Sequence, residues 1–409
     1  MYPTPKQRAV LQQWFGSVRK TYNTCVDAVE KLKLPKNLKS LRAHCINAGS
    51  PGLLMYPWLA KTPYDMRDEG MRDLLKAYDT AFTLLRTGKQ KHFNMRHRSS
   101  KAQSQSIVIH SKYWKDTKKI FWASAFEKAK AETTLRTREP LPDSINYDCR
   151  LQRTRLGHYY VCLLLSAIPT TPSVQGSDNQ APLVNNMPRI LAIDPGVRTF
   201  ATGYDPVAAS YVEWGKGDMK NLERLCIHLD DLASRTAKEK NARRRYKMRR
   251  AQMRMRLRLK HRVDEFHKKL VAWLVGNYDV ILLPSFESSS MVNHVDRRIS
   301  RPTVRTLLTW SFYRFKQRLI CKAKLEGEHC LVQIVDEHYT TMTCGSCGRL
   351  NSNVGAAKVF QCPHCAITLP RDWNAARNIF LRYITTSTWW QSLPGLSLGS
   401  SGPVKGRVQ

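Results

Sequence analysis

Cys344-Gly-Ser-Cys347 and Cys362-Pro-His-Cys365 form two Cys-x-x-Cys knuckles with fourteen residues between them. That spacing fits one tetrahedral Zn²⁺ held by four thiolates, as in zinc ribbons. Such ribbons tie down a segment too small to build its own core. Contact with nucleic acid is a second role that the spacing leaves open. His364 lies between two ligands and reads as a bystander. Three carboxylates stand where metal-assisted chemistry could use them. Asp194 closes the apolar run 190–193 and leads into Pro195-Gly196. Glu287 follows a second apolar run, 279–283. Asp372 opens a helical pattern with Ala375, Ala376 and Ile379 on its apolar face. Strand ends and helix starts hold a side chain rigidly and still let it meet solvent. Two Mg²⁺ ions ~3.5–4 Å apart need several carboxylate oxygens around them. Singly, each acid has a plainer reading: a turn cap, a solvated loop residue, a helix N-cap. Their order, with the cysteine pairs between the second and third, is more specific. It suggests a metal-dependent nuclease core with a zinc module inserted before its last carboxylate.

The bulk charge agrees with a nucleic-acid partner. Among 409 residues, 67 are Lys or Arg and 32 are Asp or Glu, a formal charge of +35. A phosphate backbone is the usual partner for such an excess. An anionic membrane surface is the competing reading. Against it, no apolar run approaches the ~20 residues of a spanning helix. Met1-Tyr2-Pro3-Thr4-Pro5 leads into a polar helix, without the pattern of a signal peptide. The eleven cysteines are an odd number, and seven are scattered singly. That pattern favours a reducing compartment with thiols and one metal site over a disulfide framework.

These residues need elements to position them. The first ~90 residues read mostly as helix. Val10, Leu11, Trp14, Val18 and Tyr22 recur at helical spacing, and Met71, Leu74, Leu75, Tyr78, Ala81 and Phe82 line a later face. Residues 106–109 and 120–122 read as short strands, and 149–167 as a hairpin turning near Gly157. Lys91, Phe93, Arg96, His97, Arg98, Tyr113, Trp114 and Lys115 mix charge with aromatic rings. This suits a surface that holds nucleic acid, or equally a half-buried sheet with a charged face. Pro169, Pro172, Pro182 and Pro188 mark a linker. Three antiparallel strands are expected over 190–214. Residues 218–275 hold neither Gly nor Pro and predict a long helical region. Within it, 235–262 carries fourteen Lys or Arg and one acid, Glu239. Arg243, Arg244, Arg245, Lys247, Arg249, Arg250, Arg254 and Arg258 are therefore candidate nucleic-acid contacts. A solvated face or a nuclear-import signal are the alternatives. A buried strand follows at 279–283, a helix at 302–319, a strand at 331–335, then the knuckles and the Asp372 helix. The tail beyond Tyr383 is rich in Ser, Gly, Thr and Pro and reads as disordered.

A family resemblance rests on four segments. They are Asp194-Pro-Gly-Val-Arg-Thr-Phe-Ala-Thr-Gly-Tyr204, Phe286-Glu287-Ser-Ser-Ser-Met-Val292, Tyr339-Thr-Thr-Met-Thr-Cys344-Gly-Ser-Cys347-Gly and Arg371-Asp372-Trp-Asn-Ala-Ala-Arg-Asn-Ile379. They resemble Fanzor proteins, eukaryotic and viral relatives of the transposon-encoded TnpB nucleases and, more distantly, of type V CRISPR effectors. The second Fanzor group is the more similar. Tyr2-Pro3-Thr4-Pro5-Lys6-Gln7 also looks like the family's N-terminal signature. The resemblance implies an α/β fold: an RNase H-like (RuvC) nuclease domain at 189–338 and 366–384, with a zinc ribbon at 339–365. It implies a β-rich wedge domain at 1–14 and 89–168, a helical recognition domain at 15–88, a linker at 169–188 and a tail at 385–409. It implies an RNA-guided DNA endonuclease with Asp194, Glu287 and Asp372 holding two Mg²⁺. One Zn²⁺ would sit on Cys344, Cys347, Cys362 and Cys365. Guide RNA and target DNA would be the partners of a monomer, inside the cell and in the nucleus of a eukaryotic host. A non-cleaving or guide-independent nucleic-acid-binding protein is the alternative. The chain departs from the family in three places. It starts at the Tyr-Pro-Thr segment, where relatives carry a strand first, which leaves the completeness of the wedge sheet open. Pro370 stands where an acid often precedes the Arg-Asp pair, and Thr341 where a serine is common.

Overall fold

The computed structural model describes residues 1–114, 123–164, 188–292, 299–326, 330–355 and 357–386. The chain divides into two units, 1–166 and 167–409. The expected strand at 120–122, nearly all of the expected linker and nearly all of the expected tail lie outside the described residues.

The first unit begins with α1 (Pro5–Glu30). Its start is set by the opening residues. The Thr4 hydroxyl accepts from the Gln7 N–H, the Gln7 side chain accepts from the Thr4 N–H, and Pro5 stands in the first turn. Gln7 is buried, and its amide also donates to the carbonyls of Glu132 and Thr134, at 2.7 and 2.9 Å. The signature-like opening is thus, locally, a helix cap tied to a distant loop. Then come α2 (Leu38–Cys45), α3 (Pro51–Met55) and α4 (Tyr64–Arg86). After β1 (Ser104–Ile109) and α5 (Ala123–Lys128), β2 (Cys149–Thr154) and β3 (Tyr159–Cys162) form the expected hairpin. The sheet is antiparallel in the order β1-β2-β3. Two cores lie along α1. Leu11, Trp14, Phe15 and Val18 pack with Ile107, Ile109, Leu151 and Tyr159. Tyr22, Cys25, Val26 and Val29 pack with Leu41, Met71, Leu74 and Tyr78. Phe82 departs from the expected apolar face. It is 46% exposed and meets Phe93 edge-on, with ring centroids 5.2 Å apart. Two residues of the stretch that mixes charge with aromatic rings have partners within the fold. The Arg98 guanidinium lies 3.9 Å from the Tyr22 ring centre and pairs with Asp73 at 3.1 Å, and the Trp114 indole donates to Pro142 O.

The second unit is built on a five-stranded sheet. Its elements are β4 (Ile190–Pro195), β5 (Ala201–Asp205), β6 (Ser210–Trp214), α6 (Asp218–Lys238), α7 (Ala242–Asn277) and β7 (Val280–Pro284). These lead to α8 (Ser288–Met291), α9 (Arg301–Trp310), α10 (Phe312–Leu325), β8 (Leu331–Val335), β9 (Val359–Gln361), β10 (Thr368–Pro370) and α11 (Arg371–Thr386). The strand order is β6-β5-β4-β7-β8. β6, β5 and β4 form the expected antiparallel meander, and β7 and β8 add parallel to β4. All five residues of β7 are buried. A central parallel strand covered on both faces reads in this way. On one face Leu191, Ile193, Ile281 and Leu283 pack under Leu274, Trp310, Phe315 and Leu319. On the other, Ala192, Leu282 and Val335 pack against Ile379 and Tyr383 of α11.

Two helices expected as continuous are broken by caps. Residues 218–275 split at 239–241, where the Asn241 side chain accepts from the N–H groups of Arg243 and Arg244 at 3.0 and 3.1 Å. The helix expected over 302–319 ends at Ser311, whose φ of 52° is left-handed, and α10 restarts there. Neither break needs Gly or Pro.

His267 on α7 is fully buried among Phe200, Phe266 and Phe315. Burial, then the Arg318 guanidinium, pushes it down to about 4, while Asp264 acts the other way. An unfolded histidine takes its proton near ~6.5, so between these values the unfolded chain binds more protons. This contribution is full above pH 6.5 and is lost as pH falls towards 4, an effect of up to about 3 kcal/mol. Melting temperature should therefore fall across that window, and His267→Gln should flatten the fall. An equal slope in both proteins would refute this assignment.

Candidate active site and four-thiolate centre

The sheet register brings strand ends together. Ala192 of β4 pairs with Leu282 of β7, and Pro284 pairs with Val335 of β8. The three parallel strands thus finish side by side, and their carboxyl ends carry Asp194, Glu287 and a third acid, Glu337. In open α/β sheets this edge is where sites form. Past Asp194 the chain turns tightly, with the Gly196 N–H donating to Phe200 O at 3.0 Å. A Cβ at Gly196 would stand 2.7 Å from Thr199 O, so the turn requires glycine. Past β7, Phe286 takes a φ of 38° and its ring rests on Phe312, with centroids 4.8 Å apart. A bulky residue in that region signals local strain, of the kind that collects at functional sites. Glu287 follows it and is exposed. Lys316 of α10 donates to Ser285 O at 2.9 Å, and its charge also acts on Glu337.

Asp372 and Glu337 both act electrostatically on Asp194. Burial pushes the Asp194 carboxyl well above its usual range, and the charges of Asp372 and then Glu337 push it the same way, while Arg371 opposes them. Burial and Asp336 raise Glu337 as well, against His338 and Lys316. Arg371 lies 3.4 Å from Asp372 and donates to Gly355 O at 3.3 Å. Carboxylates desolvated together are uncomfortable unless a cation joins them. The donors are hard oxygens, which suits Mg²⁺. Glu337 was missed by sequence reasoning, although the signal that singled out Asp194 and Glu287 also marks it: an acid just past an apolar strand.

The four cysteine sulfurs come together as expected. They all lie within 4.8 Å of one another. Cys344 Sγ is 3.6 Å from Cys365 Sγ, and Cys347 Sγ is 3.6 Å from Cys362 Sγ. Tetrahedral Zn–S bonds of ~2.3 Å place sulfurs ~3.8 Å apart, so the set fits zinc. The Cys365 N–H first, and then that of His364, hold the Cys362 thiol down to about 6. His364 faces Arg349 at 3.0 Å, in keeping with its reading as a bystander.

The eight basic candidates lie in the first half of α7. Arg243, Arg244, Lys247, Arg249, Arg254 and Arg258 are exposed, and Arg245 and Arg250 are half-buried. Among the described residues no helix is long and apolar enough to cross a membrane.

The chain is similar to known proteins along most of its length. The family described as Cas12f1-like, TNB domain, matches residues 312–379, which hold Glu337, the four cysteines and Asp372. A family described as a helix-turn-helix domain matches residues 1–31, where this chain forms the single helix α1. The TnpB-like protein L770 of Acanthamoeba polyphaga mimivirus is 25% identical over 403 residues, covering 93% of this chain and 71% of that protein. The CRISPR-associated endodeoxyribonuclease Cas12f1 of Sulfoacidibacillus thermotolerans is 36% identical over 77 residues, 18% of each chain. A cryo-EM structure of a Cas12f1-sgRNA-target DNA complex superposes with a TM-score of 0.46 at 13% identity, over 90% of this chain and 82% of that one. These likenesses support a TnpB/Fanzor-type family for the chain.

Proposed function

We propose that this protein is an RNA-guided DNA endonuclease of the second Fanzor group, with an RNase H-like (RuvC) nuclease domain. The observation that carries the reading is the register that brings the ends of β4 and β8, with Asp194 and Glu337, to one edge of the mixed sheet, where the charges of Asp372 and Glu337 act on Asp194. The strand order of that sheet, three antiparallel strands followed by two parallel ones, supports it. Asp194, Glu337 and Asp372 would hold Mg²⁺, with Glu287 as a further acid at the end of β7. Two bound Mg²⁺ would supply an activated water and stabilise the leaving oxygen of the cut phosphodiester. The protein groups hold and orient. The Pro195-Gly196 turn fixes Asp194, the helix start fixes Asp372, and Arg371 tempers the local negative charge. The guide RNA and target DNA would lie on the strongly basic surface. The deciding assay purifies the protein with its RNA, sequences that RNA, and supplies matching DNA with Mg²⁺. Discrete RNA and cutting dependent on its sequence support the reading. A preparation that binds such RNA but leaves the DNA whole would be a non-cleaving binder.

Replacing Arg243, Arg244 and Arg245 with Glu should weaken nucleic-acid binding and flatten its salt dependence. Each lost phosphate contact lowers the slope of log affinity against log salt by roughly 0.7 to 0.9, so about 2 in all. Sequence preference should change little, because phosphate contacts position and base contacts specify. An unchanged slope, with helical circular dichroism intact, would leave this stretch as a solvated face or an import signal.

A further inference from the structure

Asn374 and Asn378 stand one turn apart on α11, and both are buried. The Asn378 amide donates to Thr340 O at 2.8 Å and to Thr343 O at 2.6 Å. The Asn374 amide donates to the same Thr343 O at 2.7 Å, and its Oδ1 accepts from the Gly345 N–H at 2.9 Å. Both lone pairs of the Thr343 carbonyl are thus taken by α11. Thr343 and Gly345 flank Cys344, the first cysteine of the four-sulfur set. A Cβ on Gly345 would meet Oδ1 of both asparagines at 3.1 Å, so glycine lets the knuckle approach this closely. A second link runs through the chain. From Cys365 it passes along β10, which pairs with β9, and the Arg371 N–H donates to Lys358 O at 2.9 Å. The first turns of α11 are therefore tied to the thiolate centre from both knuckles, and Asp372 stands between the two ties.

We propose that Asn374 and Asn378 are positioning residues: a clasp through which occupancy of the four-thiolate centre sets the placement of Asp372. The proposal rests on Asp372 being a catalytic carboxylate, but the coupling can be read without any cutting. With the four sulfurs joined through one ion, the Thr343–Gly345 backbone is held in the shape that both amides grip. With the sulfurs released, that backbone is free to move, and the clasp has nothing rigid to hold. Buried amides and carbonyls left unpaired then favour opening of the helix start.

Hydrogen exchange of the α11 amides 375–379 tests this in the full-length protein with Mg²⁺ present. Removing zinc with a zinc-selective chelator should speed their exchange about tenfold or more. Asn374→Ala combined with Asn378→Ala should keep one zinc per chain yet exchange as fast as stripped wild type, whether or not zinc is present. The milder Asn374→Asp keeps the acceptor for the Gly345 N–H and loses the donor to Thr343 O, so it should fall between. In the cutting assay, the Mg²⁺ concentration for half-maximal rate should rise about tenfold in the double variant, as for other residues that orient metal ligands. Unchanged protection of 375–379 after zinc removal would overturn the proposal. So would a double variant, or an Asn374→Asp protein, that still shows the full zinc-dependent change. Coupling seen by exchange in a wild-type protein that never cuts DNA would uphold the clasp and refute the nuclease reading instead.

Discussion

Asp194→Asn protein is expected to bind nucleic acid as wild type does and to cut DNA at least about 10³-fold more slowly, a loss of about 4 kcal/mol of transition-state stabilisation. The amide keeps the shape of the side chain and removes its charge. Affinity comes from the distributed basic surface, which the change does not touch. Thermal stability should hold or rise, because the repulsion that Asp372 and Glu337 exert on Asp194 is relieved. A destabilised nonfunctional protein would look different, so the two measurements together separate a site defect from misfolding. Glu337→Gln should lose cutting with Asp194→Asn, since its charge acts on the same carboxyl. Glu287→Gln belongs in the same series. Loss there with full cutting by Glu337→Gln would return the third position to Glu287 alone. Full cutting by Asp194→Asn would remove Asp194 from the catalytic set.

Cys362→Ser should release about one Zn²⁺ per chain and open the segment 340–370 to protease. The local core consists of Cys344, Val354, Phe360 and Cys362, with Ile367 and Leu369 packed on it. Two of those four buried residues are themselves candidate ligands, so little apolar area remains to hold the segment. Structural zinc sites in small modules supply an apparent ~10–16 kcal/mol at neutral pH, more than burial of Val354 and Phe360 can. Backbone N–H groups of Cys365 and His364 favour the charged form of Cys362, and serine cannot supply that charge to a metal. His364→Ala should keep its zinc. Metal analysis that finds no zinc in the parent protein would reject the centre.

The chemistry was legible where residue type and spacing carry it. The Cys-x-x-Cys pairs announced four converging sulfurs, and the apolar runs before Asp194 and Glu287 announced β4 and β7. Parallel pairing of β7 with β4 and of β8 with β7 was not readable, because a short buried run does not reveal its neighbours. Glu337 was overlooked for a related reason. Its strand, β8, was recognised, but nothing local shows that its end lies beside Asp194. The helix breaks at Asn241 and Ser311 were hidden because they use side-chain capping and a left-handed serine instead of Gly or Pro. Asn374 and Asn378 read as part of a motif, yet their partners lie on the far side of the zinc knuckles in sequence. In the first unit, residue type alone leaves Arg98 and Trp114 equally readable as nucleic-acid contacts or as part of a half-buried sheet, and their partners Tyr22, Asp73 and Pro142 are distant in sequence.

Helix α1 has a consequence for how the first unit can come apart. Its opening turns belong to the β-sheet core and its closing turns to the helical core, with no break between Pro5 and Glu30. The wedge and recognition boundary expected at residues 14 and 15 runs through the middle of this rod. A helix shared in this way makes the two cores melt as one cooperative body. Expression of 15–88 alone would uncover Phe15, whose ring lies against Tyr159, and leave a fragment prone to aggregate. A pair of modules that cannot fold apart also cannot be exchanged singly between relatives, so in recombination this unit would travel whole.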